Sequence, residues 1–418
     1  MNQTYLASKG NSTKLLSAYH DDLTKELNDI LDYWMSNTHD TVYGGFIGRV
    51  DENNIPDPSS PKGAVVNARI LWSFASAYKL THNPRHLHLA RIAFNYFLNH
   101  FIDKEYGGVY WSVTASGQPL DTKKQIYAIA FAIYGCSAYY SVSKNPLAKE
   151  TAIQLYREIE AYSFDKEYTG YLEAFTRDWK PTNDLRLSTK DANEKKTMNT
   201  HLHVLEAYTS LYHIWPDAQL GRQIKNLLQN FTDHIVDAET GHLILFFDEE
   251  WNAKSRIISY GHDIEAAWLL LEAATALNDG LLLEKIRSLS VKISIAAIEG
   301  LDKDGGMWYE KEAGSSHIIK EKHWWVQAEA MIGFLNHWQL TGDDNFLEKS
   351  FQSWSYTRKF IKDKEYGEWL WGRNDDGTAM KNQDKVGIWK CPYHNTRACI
   401  EIIGRLQTYL VPEMAGRD

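Results

Sequence analysis

Two kinds of helical pattern alternate along this chain. Apolar residues recur at steps of three and four over 64–80, 125–140, 199–214, 262–277, 325–340 and 394–406, and these six segments are rich in Ala and large apolar side chains. Lys is nearly absent from most of their faces, so the pattern predicts helices buried all round. The intervening segments 84–99, 146–161, 221–234, 281–295 and 345–360 pair an apolar stripe with a charged face, as helices with one side in water do. The alternation predicts an inner ring of buried helices inside an outer ring of amphipathic ones. Strand signals are confined to short runs such as Gly107-Gly108-Val109-Tyr110-Trp111.

One short phrase punctuates the helices: an Asp, a turn residue four positions later, then aromatic or apolar residues. It reads Asp40 to Gly44, Asp103 to Gly107, Asp165 to Thr169, Asp237 to Gly241, Asp302 to Gly306 and Asp363 to Gly367, at steps of 63, 62, 72, 65 and 61. Solenoid repeats of one helix pair run to about 50 residues at most, so each unit has room for two helices and two long connections. Gly tolerates the positive φ of a tight turn and Asp braces it with local hydrogen bonds, a structural role; no Gly-Lys-Ser/Thr follows, as a phosphate cradle would need. Six units and no linker predict a single domain over 1–418, with a loose segment at 1–14. The longest step contains the charged stretch 177–196, where a loop is expected to fold over a ligand.

Composition narrows the function. The net charge of −9 is spread with both signs interspersed, which gives no basic stripe for nucleic acid. No secretory signal pattern opens the chain and no long uncharged apolar run is evident, so a cytoplasmic protein without a membrane partner is expected, and the mixed charge of the outer helices points to a monomer. Cys136, Cys391 and Cys399 show no metal-ligand spacing, and free thiols are expected. The 15 Trp and 24 Tyr exceed what the core needs and offer flat faces for sugar rings.

Candidate chemistry sits where the buried helices begin. Arg69; Tyr127; Asn199, His201 and His203; His262 and Glu265; Trp325 and Glu329; and His394 and Arg397 are polar or aromatic residues at the starts of six helices that should be apolar. Buried polar groups need partners or a ligand, so a closed ring would direct them into one shared pocket. Within Ser259-Tyr260-Gly261-His262-Asp263-Ile264-Glu265, His262 and Glu265 lie three apart, and the carboxylate is expected to orient the imidazole. In Trp389-Lys390-Cys391-Pro392-Tyr393-His394-Asn395-Thr396-Arg397, a helix start at His394 would keep that imidazole neutral. Asn199 and His203 share a face; His201 points away and reads as packing. A zinc site from His203, His262 and His394 lacks local ligand pairs, and no metal is expected. Two neutral imidazoles across a pocket suit proton removal and return beside a carbonyl, with Arg69 holding the oxyanion and no cofactor required. Glycoside hydrolysis by Glu265 and Glu329, with Asp191 as a third carboxylate, is the competing enzymatic reading, and a non-catalytic sugar-binding barrel is the competing reading outside catalysis.

From about Leu15 to Tyr409 the chain resembles the N-acylglucosamine 2-epimerase superfamily. The most specific stretches are Met198-Asn199-Thr200-His201-Leu202-His203-Val204-Leu205-Glu206, Tyr260-Gly261-His262-Asp263-Ile264-Glu265, His323-Trp324-Trp325-Val326-Gln327-Ala328-Glu329 and the Trp389 to Arg397 segment. The resemblance implies an all-α (α/α)6 barrel with short β-hairpins in its loops. It implies His262 and His394 as the acid/base pair with Glu265 in support, and Arg69, Tyr127, Asn199 and His203 on the reducing-end sugar. It also implies Trp325 and Trp389 lining the site, Glu329 nearby, and Trp371 as a looser match to an aromatic stacking on a second sugar. The implied reaction is inversion at C2 of the reducing-end glucose of a β-1,4-linked disaccharide, with aldose-ketose isomerisation or monosaccharide epimerisation as sibling outcomes.

Overall fold

The computed structural model describes residues 2–410, with side chains from Lys14 onward. Twelve α-helices are present among them: α1 Asn2–Asn37, α2 Ala64–Thr81, α3 Pro84–His100, α4 Ile126–Ser143, α5 Pro146–Tyr162, α6 Met198–Ile214, α7 Ala218–Asn230, α8 Tyr260–Leu277, α9 Gly280–Ala297, α10 Trp324–Thr341, α11 Asp344–Tyr356 and α12 Tyr393–Leu410. The even-numbered helices pack in sequence, α2 on α4, α4 on α6, α6 on α8, α8 on α10, α10 on α12, and α12 back on α2. They form the closed inner ring of an (α/α)6 barrel, and the odd-numbered helices form the outer ring. The eleven segments read from periodicity map onto these helices, with 221–234 and 345–360 running past α7 and α11 into the π-helical turns Phe231–Ile235 and Thr357–Ile361 and 394–406 stopping short of the end of α12. The first outer helix, α1, was not among them; it packs on α12. The loose segment expected at 1–14 falls almost wholly on residues whose side chains lie outside the description.

The two ends of the barrel are built differently. At the closed end, inner helices stop at a left-handed residue, His82, Lys144, Asn278 or Gly342. The next residue, Asn83, Asn145, Asp279 or Asp343, then caps the following outer helix through its side chain. An αL stop followed at once by an Asn/Asp cap makes a very short αα-turn. α4 is long and apolar enough to cross a membrane, contrary to the reading that no such run exists, but most of it is buried because it belongs to the inner ring.

At the open end the loops are long and carry the Asp/Gly turns. One oxygen of each Asp accepts the backbone amides that follow, as Asp40 does from Val42 and Tyr43 at 2.9 Å each. In five units the other oxygen receives a Lys ammonium from the segment leading toward the next inner helix: Lys62 on Asp40, Lys124 on Asp103, Lys196 on Asp165, Lys322 on Asp302 and Lys385 on Asp363. In the Asp237 unit the corresponding place is Ile258, and His242 instead bonds Asp263 at 2.7 Å. The Asp302 turn is one residue shorter, so its positive φ falls on Gly305 and not on the expected Gly306. Short antiparallel strands then stitch each unit to the next, Lys62–Gly63 to Ser112–Val113, Lys124–Gln125 to Ala174–Phe175, Lys196–Thr197 to Phe246–Phe247, Ile257–Ser259 to Glu310–Glu312 and Lys322–His323 to Gly372–Arg373. A bridge between Val50 and Val386 joins last to first.

Candidate active site

All six inner helices start at the open end, so their amide-rich termini and their first two turns surround one pocket. Seven residues on from Lys62, Lys124, Lys196, Ile258 and Lys322, which lie in the strands before five of the inner helices, and from Lys390 in the segment before α12, stand Arg69, Phe131, His203, Glu265, Glu329 and Arg397. All six are in helices α2 to α12 at one level and all are buried, forming the floor. His262 and His394 sit three residues earlier on α8 and α12, nearer the mouth.

Arg397 ties the floor together. Its guanidinium donates to Glu206, Glu265, the Tyr393 hydroxyl and, at 2.7 Å, to Glu329 Oε1. Glu329 Oε1 also receives His394 Nδ1 at 2.7 Å, and its Oε2 receives Trp268 Nε1 at 3.1 Å. Glu206 Oε2 faces His203 Nδ1 at 2.9 Å. A carboxylate only accepts, so the Nδ1 positions of His394 and His203 carry hydrogens. Burial alone would raise the Glu206 carboxyl, yet Arg397 and His203 hold it down to about 2. Glu265, Glu329 and His394 lie close enough to share a cation, and the guanidinium of Arg397 is bonded to both carboxylates of that group. His203, His262 and His394 do not group as metal ligands.

The expected pairing of His262 with Glu265 requires correction. His262 Nδ1 bonds Ser259 Oγ at 2.8 Å, while Glu265 turns to Arg397. A buried guanidinium attracts a carboxylate more strongly than a neutral imidazole does, so Glu265 acts on His262 only through space. Burial pushes His262 down to about 4 against the pull of Glu265. Burial likewise holds His394 well below its ordinary value, with Arg69 and Arg397 adding to the effect. Both are therefore neutral imidazoles at neutral pH. Both approach one indole: Trp325 lies 4.7 Å from the His262 ring and 5.7 Å from the His394 ring, centroid to centroid.

The other expected residues converge from the far side. Arg69 donates to the Tyr127 hydroxyl at 2.7 Å and lies over the Phe131 ring at 4.1 Å. Tyr127 meets His203 edge-on at 5.1 Å and Trp389 at 6.1 Å. Arg69 Nε and Asn199 Oδ1 are buried without a hydrogen-bond partner in the protein, as groups awaiting a polar ligand would be. His201 is the packing residue anticipated: its Nδ1 bonds the Thr197 carbonyl at 2.7 Å and its Nε2 accepts from the Tyr171 amide at 2.9 Å.

Aromatic side chains line the mouth. Eight residues after Asp103 and Asp363 stand Trp111 and Trp371, and the shorter fifth turn places Tyr309 seven after Asp302. Trp111 packs on Trp389 at 5.8 Å and Trp371 on Trp324 at 4.6 Å; Tyr309 stacks on His323 at 4.0 Å. Sequence reasoning gave no site role to Trp111 or Tyr309, although Trp111 stands as far from its Asp as Trp371 does and so carried a readable signal. Arg397, Glu206 and Ser259 were also given no role; an Arg on an otherwise buried helix implies carboxylates around it. The 177–196 loop leans on the start of α4, where Gln125 Nε2 donates to the carbonyls of Leu185 and Arg186 at 3.2 and 2.8 Å. Asp191 in that loop accepts from the Ser188 amide at 2.8 Å.

Known proteins resemble this arrangement over nearly the whole chain. The N-acylglucosamine 2-epimerase (GlcNAc 2-epimerase) family matches residues 45–398. A cellobiose 2-epimerase of Bacteroides fragilis is 49% identical over 92% of this chain and 98% of its own length. Another, of Dictyoglomus turgidum, is 36% identical over 91% and 96%. The solved cellobiose 2-epimerase of Bacillus thermoamylovorans superposes with a TM-score of 0.89 at 37% identity, covering 93% of this chain and 100% of that one.

Proposed function

The chain belongs to the N-acylglucosamine 2-epimerase family, and from that membership we propose that it inverts C2 of the reducing-end glucose of β-1,4-linked disaccharides, turning cellobiose into glucosyl-mannose and lactose into epilactose. The observation that carries this reading is the pair of neutral imidazoles, His262 and His394, brought from two different helices onto the same Trp325 ring. An epimerase needs a base on one face of C2 and an acid on the other, and a neutral imidazole becomes that acid once it has taken a proton.

The sugar ring opens to expose the C1 aldehyde. One imidazole removes the C2 proton, the C–H electron pair forms the C1–C2 double bond, and O1 becomes the oxyanion of a cis-enediolate. The other imidazole, having taken up a proton from water, delivers it to C2 from the opposite face, which restores the aldehyde with inverted configuration; the first imidazole gives its proton to water and the ring closes. Arg69, braced by Tyr127, donates to the oxyanion, and the unpartnered Asn199 amide oxygen accepts from a neighbouring sugar hydroxyl. The exchange involves protons only, with no net oxidation, so two histidines suffice chemically. Trp389 with Trp111, and Trp371 with Tyr309, give two aromatic flanks at the mouth that suit a second sugar ring.

Incubation with cellobiose in deuterium oxide tests the reading. The expected product is a C2-epimeric disaccharide carrying deuterium at C2. Release of free glucose instead would establish hydrolysis, and a ketose as sole product would establish isomerisation; either sinks the proposal.

A further inference from the structure

The sixth Asp/Gly turn departs from the others at one position. Five residues after the Asp, the backbone is left-handed in four of the six units, and three of these place Gly there: Gly45, Gly108 and Gly170. A Cβ at those glycines would come within 2.6 Å of Tyr96, 2.8 Å of Trp179 and 2.5 Å of Trp251, so an aromatic ring fills the space beneath each turn. The sixth unit instead carries Glu368 at φ 62°, although the left-handed region disfavours any residue with a Cβ. Its carboxylate reaches inward to three donors. Oε2 accepts from Trp34 Nε1 at 2.7 Å, and Oε1 accepts from Asn395 Nδ2 at 2.6 Å and from Lys390 Nζ at 2.9 Å. Neither the Glu368 nor the Lys390 side chain is exposed at all. The ammonium also lies 5.3 Å from the centre of the Trp324 ring, which packs on Trp371 at 4.6 Å. Closure of the unit does not account for this pair, because Lys385 already closes on Asp363 as in the other turns.

Lys390 directly follows Trp389 and Asn395 directly follows His394, so one carboxylate holds both ends of the segment that brings Trp389 and His394 to the pocket. The two depend on it unequally. His394 stands in α12 and has an anchor of its own, Nδ1 on Glu329 at 2.7 Å. Trp389 lies before the helix and its side chain makes no hydrogen bond among the described residues; it rests against Trp111 at 5.8 Å and Tyr127 at 6.1 Å. We propose that Glu368 is a positioning residue for the second sugar ring. Through Lys390 it fixes Trp389, and through Lys390 and Trp324 it fixes Trp371, so it sets the spacing of the two aromatic flanks at the mouth. This rests on the epimerase reading of the pocket. Glu368 is closed off from the mouth and touches no substrate, and its effect falls on binding of the disaccharide, leaving proton transfer at C2 to the separately anchored histidine.

The test combines Glu368→Gln with Lys390→Met, so that neither charge is left buried alone. Cellobiitol, the alditol of cellobiose, has no carbonyl and cannot turn over; glucitol lacks the second ring. Their dissociation constants are read by nuclear magnetic resonance titration of the folded double variant and of the unmodified protein. Cellobiitol is expected to bind the variant about tenfold more weakly and glucitol within about twofold of its original strength. Kinetics should show the same split, with KM for cellobiose raised about tenfold and kcat nearly unchanged. A lower Tm with cellobiitol binding and KM unmoved makes the cluster a structural clasp and overturns the proposal. So does equal weakening of both alditols, or a fall in kcat at unchanged KM, which would place the effect on His394. Should the double variant not fold, Glu368→Asp, which keeps the charge and draws it back by one methylene, carries the test: cellobiitol weakened with glucitol unchanged supports the proposal, and no change overturns it. The epimerase reading is judged on the unmodified protein by the deuterium assay, whereas this comparison needs no turnover, so the two can fail separately.

Discussion

His262 and His394 both pack against Trp325, and burial has lowered the basicity of both. An ordinary histidine near 6.5 would be half disabled as a base in mildly acidic solution. His262, brought down to about 4, remains unprotonated well below that. The acid limb of kcat/KM is therefore expected to fall near pH 4, and a limb near 6.5 would contradict the environment described. The sign for stability is the same. A folded-state value below the unfolded one means that the unfolded chain binds more protons as pH falls, so the stability present above 6.5 is drawn down toward pH 4. Circular dichroism along the same pH series separates loss of base from loss of fold. These two histidines were legible in the sequence because an imidazole on a buried helix start is conspicuous. Their partners were not: spacing of three favoured Glu265 for His262, but Arg397, more than a hundred residues away in the chain, takes that carboxylate, and only the closed ring brings it there.

Among elements, the inner helices approach closely enough to select their residues. A Cβ placed on Gly333 of α10 would lie 2.7 Å from the carbonyl oxygen of Ile264 on α8, and one on Gly135 of α4 would lie 2.7 Å from that of Ala68 on α2. Gly333→Val is expected to cost about 1–3 kcal/mol through overpacking, read as a lower urea midpoint with an unchanged slope. The all-round apolar pattern announced these helices, and the αL stop with its Asn or Asp cap was written in the chain at four of the five closed-end turns, the α6–α7 turn at Trp215 being the exception. The first outer helix escaped notice because its opening third is polar and contains Gly10, a poor helix signal, and because the repeat was counted from the Asp of each unit, which lies after that helix.

For the molecule as a whole, the six turns are more than counters. In five of them a Lys from the segment leading to the next inner helix closes on the Asp, and Lys62 on Asp40 is buried on both sides, with 1% and 4% of each side chain exposed. Lys62→Met is expected to cost about 3–5 kcal/mol by leaving Asp40 buried and unpaired, seen as a fall in Tm, whereas the double variant with Asp40→Asn should recover much of it. The Asp half of each clasp was visible from the period, but the Lys half was not, because the loop lengths between them differ. The ring has one further consequence, which concerns order in time. Glu206, Glu265 and Glu329 are translated on α6, α8 and α10, and the guanidinium that joins all three arrives on α12 together with His394. During synthesis the pocket floor is an assembly of acids without its hub until Arg397 has left the ribosome, so a growing chain reaches the last turn of the ring before any sugar can meet a finished site.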